Sequence, residues 1–388
     1  MRIAYPKNAS VPNPFPLPIA AMNRRSLLRS IGVLGAVAIV GTRISRVAGQ
    51  GSTPEPAAPQ IGLRPDGSRL WRVQVAGASM DDGIELMGFF PGEITINAGD
   101  AIFFDFGQGM PEIPHTVSFL AGQPVPDLVV PEPDAAANPR LMFNPQVAFP
   151  QGAAAVDGAG VVSSGMSILL QPGTSYMLTF PTPGTYDYVD LVFPMVATGK
   201  VIVVDRGSAL PKTQDDYDQA TAEQQAPLIE RGRAQIDRYD QPSPVALGSG
   251  ANRWEVTAGV TDGAVEVAAF IPQRLEIKAG DTVSWTLERS TLELHTATFA
   301  GTEPPPELVV VEPQEDGPPL LILNPDLVAA AGEPAYRDGE FANTGFLSTR
   351  FPFPHSAELT FDAPGEYPYY CAIHGSPNQG MRGTIVVK

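Results

Sequence analysis

The sequence predicts an all-β protein built from two tandem β-sandwiches that are joined by a helical linker. Three observations support this: short runs in which apolar and polar residues alternate, many turn-forming residues, and an internal duplication. The 388 residues include 41 Pro and 38 Gly, and only 17% are charged while 43% are hydrophobic. Such a composition favours a loop-rich β protein with a sizeable core over a helical or disordered chain.

The first 50 residues have the layout of an export signal. They contain no Asp or Glu, and Arg24 and Arg25 precede an apolar run from Ile31 to Gly41. That run is too short to span a bilayer, so we interpret residues 1–50 as a signal peptide. The paired arginines resemble the twin-arginine type of signal.

This interpretation places the mature protein outside the cytoplasm, in the periplasm or an equivalent compartment, with no membrane span. Residues 51–69 are then expected to be a flexible leader. Two alternatives stay open. The signal could remain uncleaved and hold the protein at a membrane, or Met22 could be the true start.

The duplication defines two domains, at residues 70–206 and 251–388. The segment from Phe89 to Asp100 matches the segment from Phe270 to Asp281, 181 residues later. Further matches follow in the same order at offsets of 180 or 181: "HTVSF" with "HTATF", "LMFNP" with "LILNP", and "LTFPTPGTY" with "LTFDAPGEY". Each copy contains about seven or eight strand-like runs, which is typical of a β-sandwich. A long Pro/Gly-rich connection in each copy is expected to pack on one end of the sandwich.

The segment between the copies, residues 207–250, has a different character. From 213 to 240 it is rich in Gln, Asp, Glu and Ala and poor in β-branched residues. This composition predicts one or two helices, interrupted near Pro227, because proline breaks the hydrogen bonding of a helix interior.

A set of potential metal ligands lies in the second copy. The chain has one cysteine, Cys371, which excludes an intramolecular disulfide and suits a metal ligand, although an inert buried thiol is the alternative. His374 follows three residues later, Met381 begins the final strand, and His295 comes from a distant strand. A soft thiolate, two imidazoles and a thioether are the ligands of electron-transfer copper, so we expect one copper ion here.

These motifs resemble the cupredoxin family of blue copper proteins, which includes plastocyanin and azurin. The resemblance rests on "HTATF", "GEYPYYC", the following His and Met, and "GTIVV". It implies two eight-stranded Greek-key sandwiches, type 1 copper at one end of the second, and electron transport. It also implies that the edge of His374 is exposed as the port for electrons, and that the backbone of Thr296 steadies the sulfur.

Two departures from the family pattern qualify this resemblance. The loop between His374 and Met381 is longer than usual, which leaves Gln379 as an alternative axial ligand. In the first copy Asp190 aligns with the cysteine and Phe193 with the second histidine, so only His115 survives. We therefore interpret the first copy as copper-free, with a structural or docking role, and keep a hard-metal site at His115 and Asp190 as an alternative.

The histidine count argues against an enzyme. The chain has 4 His, too few for a multicopper oxidase or a copper nitrite reductase, and His355 is expected in a surface turn. The net charge of −17 argues against nucleic-acid binding and suits redox partner proteins with basic patches. We hypothesise an exported one-copper electron carrier. The alternatives are a copper storage or delivery protein, and a metal-free scaffold of two sandwiches.

Overall fold

Strands dominate the structure, and they form two halves that correspond to the two sequence copies. The computed structural model describes residues 59–133, 140–170, 176–248, 250–302 and 304–388. The predicted signal peptide, residues 1–50, and the first part of the predicted leader lie outside these described residues. Within the rest of the leader, two residues form a short strand that pairs with the chain immediately after it.

The strands of the first half are β1 Gly62–Leu63, β2 Arg69–Ser79, β3 Ile84–Phe90, β4 Glu93–Asn97, β5 Ala101–Asp105, β6 Ser118–Phe119, β7 Val129–Pro131, β8 Leu141–Phe143, β9 Val162–Ser163, β10 Tyr176–Thr179, β11 Gly184–Val189 and β12 Thr198–Val204. Strands β10, β5, β2 and β3 lie side by side in one sheet, and β4, β12, β11, β6 and β9 form another. The core between them includes Val73, Phe104, Ile94 and Val201.

The second half contains β13 Val245–Ala246, β14 Asn252–Asp262, β15 Val265–Ile271, β16 Arg274–Ile277, β17 Asp281–Thr286, β18 Thr298–Phe299, β19 Val309–Glu312, β20 Leu320–Leu323, β21 Ala335–Tyr336, β22 Ala342–Asn343, β23 Ser356–Phe361, β24 Gly365–Ser376 and β25 Gln379–Val387. Strands β15, β14, β17, β23 and β21 continue the first sheet of the other half, while β16, β25, β24, β18 and β22 form the opposing layer. Trp285 and Phe299 contribute to the core between the layers.

Corresponding strands of the two halves pair with each other directly. Strand β3 runs antiparallel to β15, with Glu85 opposite Glu266, Leu86 opposite Val265 and Ile84 opposite Val267. We call this pairing the seam. Because of it, one 11-stranded sheet passes through both halves, and the described residues form one compact unit. The domain boundaries at 70–206 and 251–388 remain predictions from the duplication.

The long connections of the two copies also meet. They supply β7, β8, β19 and β20, which form a four-stranded sheet with Ile322 opposite Met142. These two residues belong to the repeated "LILNP" and "LMFNP" segments, which therefore pair with one another. Each segment is followed by a short helix, α1 Pro145–Ala148 and later α3 Pro325–Val328, capped by the Asn of its own motif.

One long helix, α2 Gln214–Tyr239, lies between the copies in sequence and packs against the seam strands. Thr213 and Asp216 form a capping box at its start. The predicted interruption near Pro227 is wrong, because the helix continues through this residue. Buried Gly232 brings the helix close to Ile84 on β3: a Cβ at position 232 would lie 2.8 Å from an Ile84 side-chain carbon. Packing on the seam therefore outweighs the hydrogen bond that proline removes.

Two 3₁₀ turns complete the described elements, at Met80–Asp82 and Ser167–Leu169. Among the described residues, no helix combines the length and the apolar character needed to cross a bilayer.

Candidate metal centre

The end of strand β24 carries two of the predicted ligands. Cys371 and His374 are three residues apart, so in a regular strand they would face opposite sides of the sheet. The pairing of β24 with β25 is irregular between Tyr370 and Gly375, and this break allows both side chains to turn inward. His295 approaches from the segment before β18, where it forms an isolated bridge with Leu347.

The three side chains converge through one atom each. The sulfur of Cys371 lies 3.8 Å from Nδ1 of His295 and 3.7 Å from Nδ1 of His374. The two Nδ1 atoms are 3.2 Å apart. All three residues are fully buried, and they form the one group of at least three His, Cys, Asp or Glu residues in the described chain whose donor atoms cluster this closely.

This triangle of donor atoms fits a metal ion. A point equidistant from the three atoms lies about 2.1 Å from each, which is in the usual range of metal–nitrogen and metal–sulfur bonds. A trigonal thiolate and two imidazoles suit copper better than a hard cation such as Mg²⁺ or Ca²⁺. The donor set and its geometry therefore fit the copper ion expected from the sequence.

Backbone groups fix the sulfur from the side. The N–H of Thr296 donates to the sulfur of Cys371 at 3.4 Å, as the resemblance implied. The hydroxyl of Thr296 accepts from the N–H of Ala372 at 2.8 Å. This hydrogen bond links the segment that carries His295 to strand β24, which carries Cys371. The thiol thus sits between two strands that are hydrogen-bonded to each other.

The two candidates for the axial position differ in their surroundings. Met381 is 2% exposed and packs in the same core cluster as Cys371. Gln379 is exposed, and its side-chain amide donates to Glu112 of the first half at 3.4 Å. Burial therefore favours Met381 as the axial ligand.

The outer nitrogen of each histidine faces a carboxylate that the sequence analysis missed. Nε2 of His295 lies 3.4 Å from Glu266, and Nε2 of His374 lies 3.4 Å from Glu293. Glu266 is fully buried, whereas the Glu293 side chain is 12% exposed. Glu266 could have been found in the sequence, because it repeats Glu85 of the first copy. No local signal marks Glu293.

The electrostatics favour an ionised thiol. Burial opposes ionisation of Cys371, but hydrogen bonds with His295 and His374 hold the pKa of its thiol well below the usual value. Burial also opposes charging of His374, yet the sulfur and Glu293 raise the pKa of its imidazole. These interactions favour the thiolate, which is the form that binds soft metals.

A missing side chain makes room for His295. Gly259 of β14 lies opposite two residues of β15, Ala268 and Ala269, in a β-bulge, and its φ is +79°. A Cβ there would lie 2.2 Å from Nε2 of His295, too close for any real contact. Ala76 occupies the corresponding bulge of the first half, with φ of +68°. The fold therefore accepts alanine at this backbone conformation, and the glycine is needed for the histidine.

The edge of His374 is closed, which corrects one expectation. The resemblance implied an exposed His374, but this residue is 0% exposed. Beside it, Leu294 and Ile373 share an apolar cluster with Val129 and Phe143 of the first half. The first half covers the end of the second half at which the three candidate ligands meet, so His374 has no exposed edge.

The corresponding site of the first half holds an ion triad. Nδ1 of His115 lies 2.7 Å from Asp190, and its Nε2 lies 2.8 Å from Glu85. The ring of Phe193 packs against His115 with centroids 5.3 Å apart. Burial opposes protonation, but the two carboxylates raise the pKa of His115 to about 10.

Both ring nitrogens of His115 face carboxylates in this arrangement, and the alternative of a hard-metal site at His115 and Asp190 stays a prediction. The N–H of Thr116 donates to Asp190 at 3.0 Å, in the same way that Thr296 donates to the sulfur in the second half. His355, the remaining histidine, is exposed at the start of β23, as expected.

No family model matches the sequence. Among solved structures, the chain is similar to amicyanin from Paracoccus versutus (Thiobacillus versutus), with 18% identity, a TM-score of 0.20, and coverage of 38% of this chain and 92% of that chain. An oxidised amicyanin variant gives 19% identity, a TM-score of 0.20 and the same coverages. A copper(I) form of another variant gives 18% identity, a TM-score of 0.20, and coverage of 35% and 82%. At these TM-scores the likeness carries no argument.

Proposed function

We propose that this protein is an exported electron carrier that cycles one type 1 copper ion between Cu(II) and Cu(I). In this proposal two tandem Greek-key cupredoxin domains, residues 70–206 and 251–388, are joined by the helical segment 207–250. Copper is bound in the second domain by His295, Cys371 and His374, with Met381 as the axial ligand. The supporting observation is the buried triangle formed by one sulfur and two Nδ1 atoms.

When bound, copper supplies a couple that takes up and releases one electron. The protein's part is to hold the ligands in one arrangement in both oxidation states. The N–H of Thr296 donates to the sulfur of Cys371, and its hydroxyl accepts from the N–H of Ala372 on strand β24. Burial of both histidines excludes water from the centre. A rigid, dry ligand set needs little rearrangement when charge changes, which suits fast electron exchange.

The surroundings of the remaining histidines support a carrier over an enzyme. His115 is held in its ion triad, and His355 is exposed immediately before strand β23. Neither joins a second cluster of ligands in the described chain. The full burial of the ligands also favours retention of copper over its delivery to another protein.

The remaining parts of the proposal concern location and partners. We propose export through a twin-arginine signal in residues 1–50, and action in the periplasm or at a membrane if the signal is retained. The acidic chain, with a net charge of −17, would dock redox partners that present basic patches. Electron exchange with such partners should slow as ionic strength rises.

The first test is to load the purified protein with Cu(II) and record visible absorption and electron paramagnetic resonance spectra. The proposal predicts one copper per chain, intense thiolate-to-copper absorption, and complete loss of that absorption in Cys371→Ser, because serine offers no soft thiolate. His355→Gln is the matched control and should keep both spectra.

A colourless wild-type protein with ordinary Cu(II) signals would contradict the copper centre. A carrier should also keep its copper through repeated redox cycles in the presence of a chelator. Ready transfer of copper to the chelator would instead support the storage or delivery alternative.

A further inference from the structure

Two carboxylates face the metal-binding histidines, and the duplication separates their roles. Glu266 faces His295, and the first half repeats this pair as Glu85 and His115 at 2.8 Å. The Glu–His pair is thus present in both halves, with and without the cysteine. It belongs to the shared architecture and is not specific to the metal centre.

Glu293 behaves differently, because its charge occurs only where the second histidine occurs. At the offset of 180 residues that relates His115 to His295, the first copy has Ile113 in place of Glu293, and Ile113 is 2% exposed. The first copy also has Phe193 in place of His374. The first half therefore has apolar residues at both positions of this pair, although it has the other Glu–His pair.

The local geometry joins Glu293 and His374 as partners. Nδ1 of His374 points to the sulfur, so Nε2 is the nitrogen left to carry the proton when a metal is bound. Nε2 lies 3.4 Å from Glu293 and has no hydrogen-bond partner in the described part of the chain. One oxygen of Glu293 is likewise buried without a hydrogen bond there. The oxygen that faces Nε2 is Oε2, whereas the buried oxygen without a hydrogen bond is Oε1. A buried imidazole N–H without a partner is costly, and Oε2 of Glu293 is placed to compensate for it.

We propose that Glu293 is the positioning residue of the metal centre: it holds the Nε2–H of His374 so that Nδ1 faces the metal, and its negative charge favours Cu(II) over Cu(I). This inference rests on the proposed copper function and adds a residue to it. The physical reason is that a carboxylate near a metal stabilises the more positive oxidation state, and burial leaves this interaction poorly screened. Glu293 therefore sets a lower reduction potential than the four ligands alone would give.

The test is the isosteric variant Glu293→Gln in the copper-loaded full-length protein. Replacing the carboxylate by a neutral amide should lower the preference for Cu(II) over Cu(I) by about tenfold, a rise of about 59 mV in potential for a one-electron couple. The electron paramagnetic resonance hyperfine splitting should also change, because the Nε2–H of His374 then faces a neutral amide in place of a carboxylate. Glu112→Gln is the matched control: it removes a charge from the facing loop of the first half without touching a ligand, and should leave both quantities unchanged.

A second measurement needs no variant. In the diamagnetic Cu(I) protein, nitrogen-15 NMR should show a proton on Nε2 of His374, shifted downfield by the carboxylate. A Glu293→Gln protein with wild-type potential and hyperfine splitting would overturn the proposal, as would a His374 protonated on Nδ1. If the wild-type protein lacked the thiolate-to-copper band, the proposed function itself would fail, and this outcome is separate from the first two.

Discussion

At the scale of single residues, the two bulges at Ala76 and Gly259 show what the metal centre requires of its neighbours. Both residues take the left-handed backbone conformation, and both lie at the same point of the sandwich. Only the second has a histidine ring in the space where a Cβ would lie. The two halves thus allow a comparison of the same backbone position with a Cβ, at Ala76, and without one, at Gly259.

This comparison predicts the effect of Gly259→Ala. The methyl group would clash with Nε2 of His295, so the ring must move and Cu(II) affinity should fall by about 10- to 100-fold. Thermal unfolding of the metal-free protein should change less than copper binding does, because Ala76 shows that the backbone accepts alanine. The measurement is a Cu(II) titration followed by absorption, with Gly248→Ala as a control, since nothing lies within 4 Å of a Cβ at that position. Unchanged affinity in Gly259→Ala would contradict this account of the bulge.

The ion triad of the first half predicts a pH dependence of stability. His115 has a raised folded-state pKa of about 10, against 6.5 for the unconstrained side chain. Its contribution to the free energy of unfolding is therefore complete below about pH 6.5 and is lost as the pH rises towards 10. The loss should be on the order of a few kcal/mol. An NMR titration of the Cu(I) protein should find His115 still protonated at neutral pH. A midpoint near 6.5 would show that the two carboxylates do not stabilise the protonated imidazole.

The sequence predicts the candidate ligands better than their surroundings. Cys371 and His374 follow from a local motif, and His295 follows from the repeat of His115. Glu293 has no such signal, because its partner is 81 positions away and the contact depends on how the loop before His295 folds back. The burial of His374 could not be predicted either, since it depends on the other half of the molecule.

At the scale of elements, the seam and helix α2 form one unit. The helix crosses strands from both halves, and Gly232 is the point of closest approach to Ile84. Composition predicts a helix here, but the position of Pro227 favours a break that does not occur. Local propensity failed because it takes no account of packing against the seam, where Leu228 and Ile229 contact the apolar cluster.

Enlarging Gly232 tests this packing. In Gly232→Leu the new side chain would overlap Ile84 and push the helix from the seam, which should cost about 1–3 kcal/mol of stability. Ala234→Leu adds bulk on the exposed face of the same helix and should be close to neutral. Thermal or urea unfolding of both variants gives the comparison. Equal stability of the two variants would mean that the helix is not held by close packing at this point.

At the scale of the whole molecule, the first half covers the end of the second half that carries the candidate ligands. Apolar residues of its long connection, among them Val129 and Phe143, pack beside the segments that carry His295 and His374. The sequence predicts two sandwiches and one metal centre, but it cannot predict that one sandwich closes the other. That arrangement depends on contacts between segments that show no complementary pattern along the chain.

This cover predicts that small external ligands cannot reach the copper. Imidazole or azide in large excess should leave the absorption and electron paramagnetic resonance spectra of the Cu(II) protein unchanged, because no ligand edge is exposed. His374→Gly is the positive control, because it opens a coordination position. Imidazole or azide should change the spectra of this variant, which shows that the assay can detect binding. A new Cu(II) signal in the wild-type protein would show that solvent has a path to the centre.

The seam has one further consequence, which concerns symmetry. Glu85 lies opposite its own repeat, Glu266. Leu86 lies opposite Val265, which is the repeat of Ile84, and Ile84 lies opposite Val267, which is the repeat of Leu86. A local two-fold axis therefore passes between the two glutamates. Such an interface is isologous: a surface that pairs with a copy of itself, as in a homodimer. The chain therefore has the form of a symmetric dimer contained in one polypeptide. In such a chain the two halves need not share one sequence, so the first half can carry Asp190 and Phe193 at the positions of Cys371 and His374 while it covers that end of the second half.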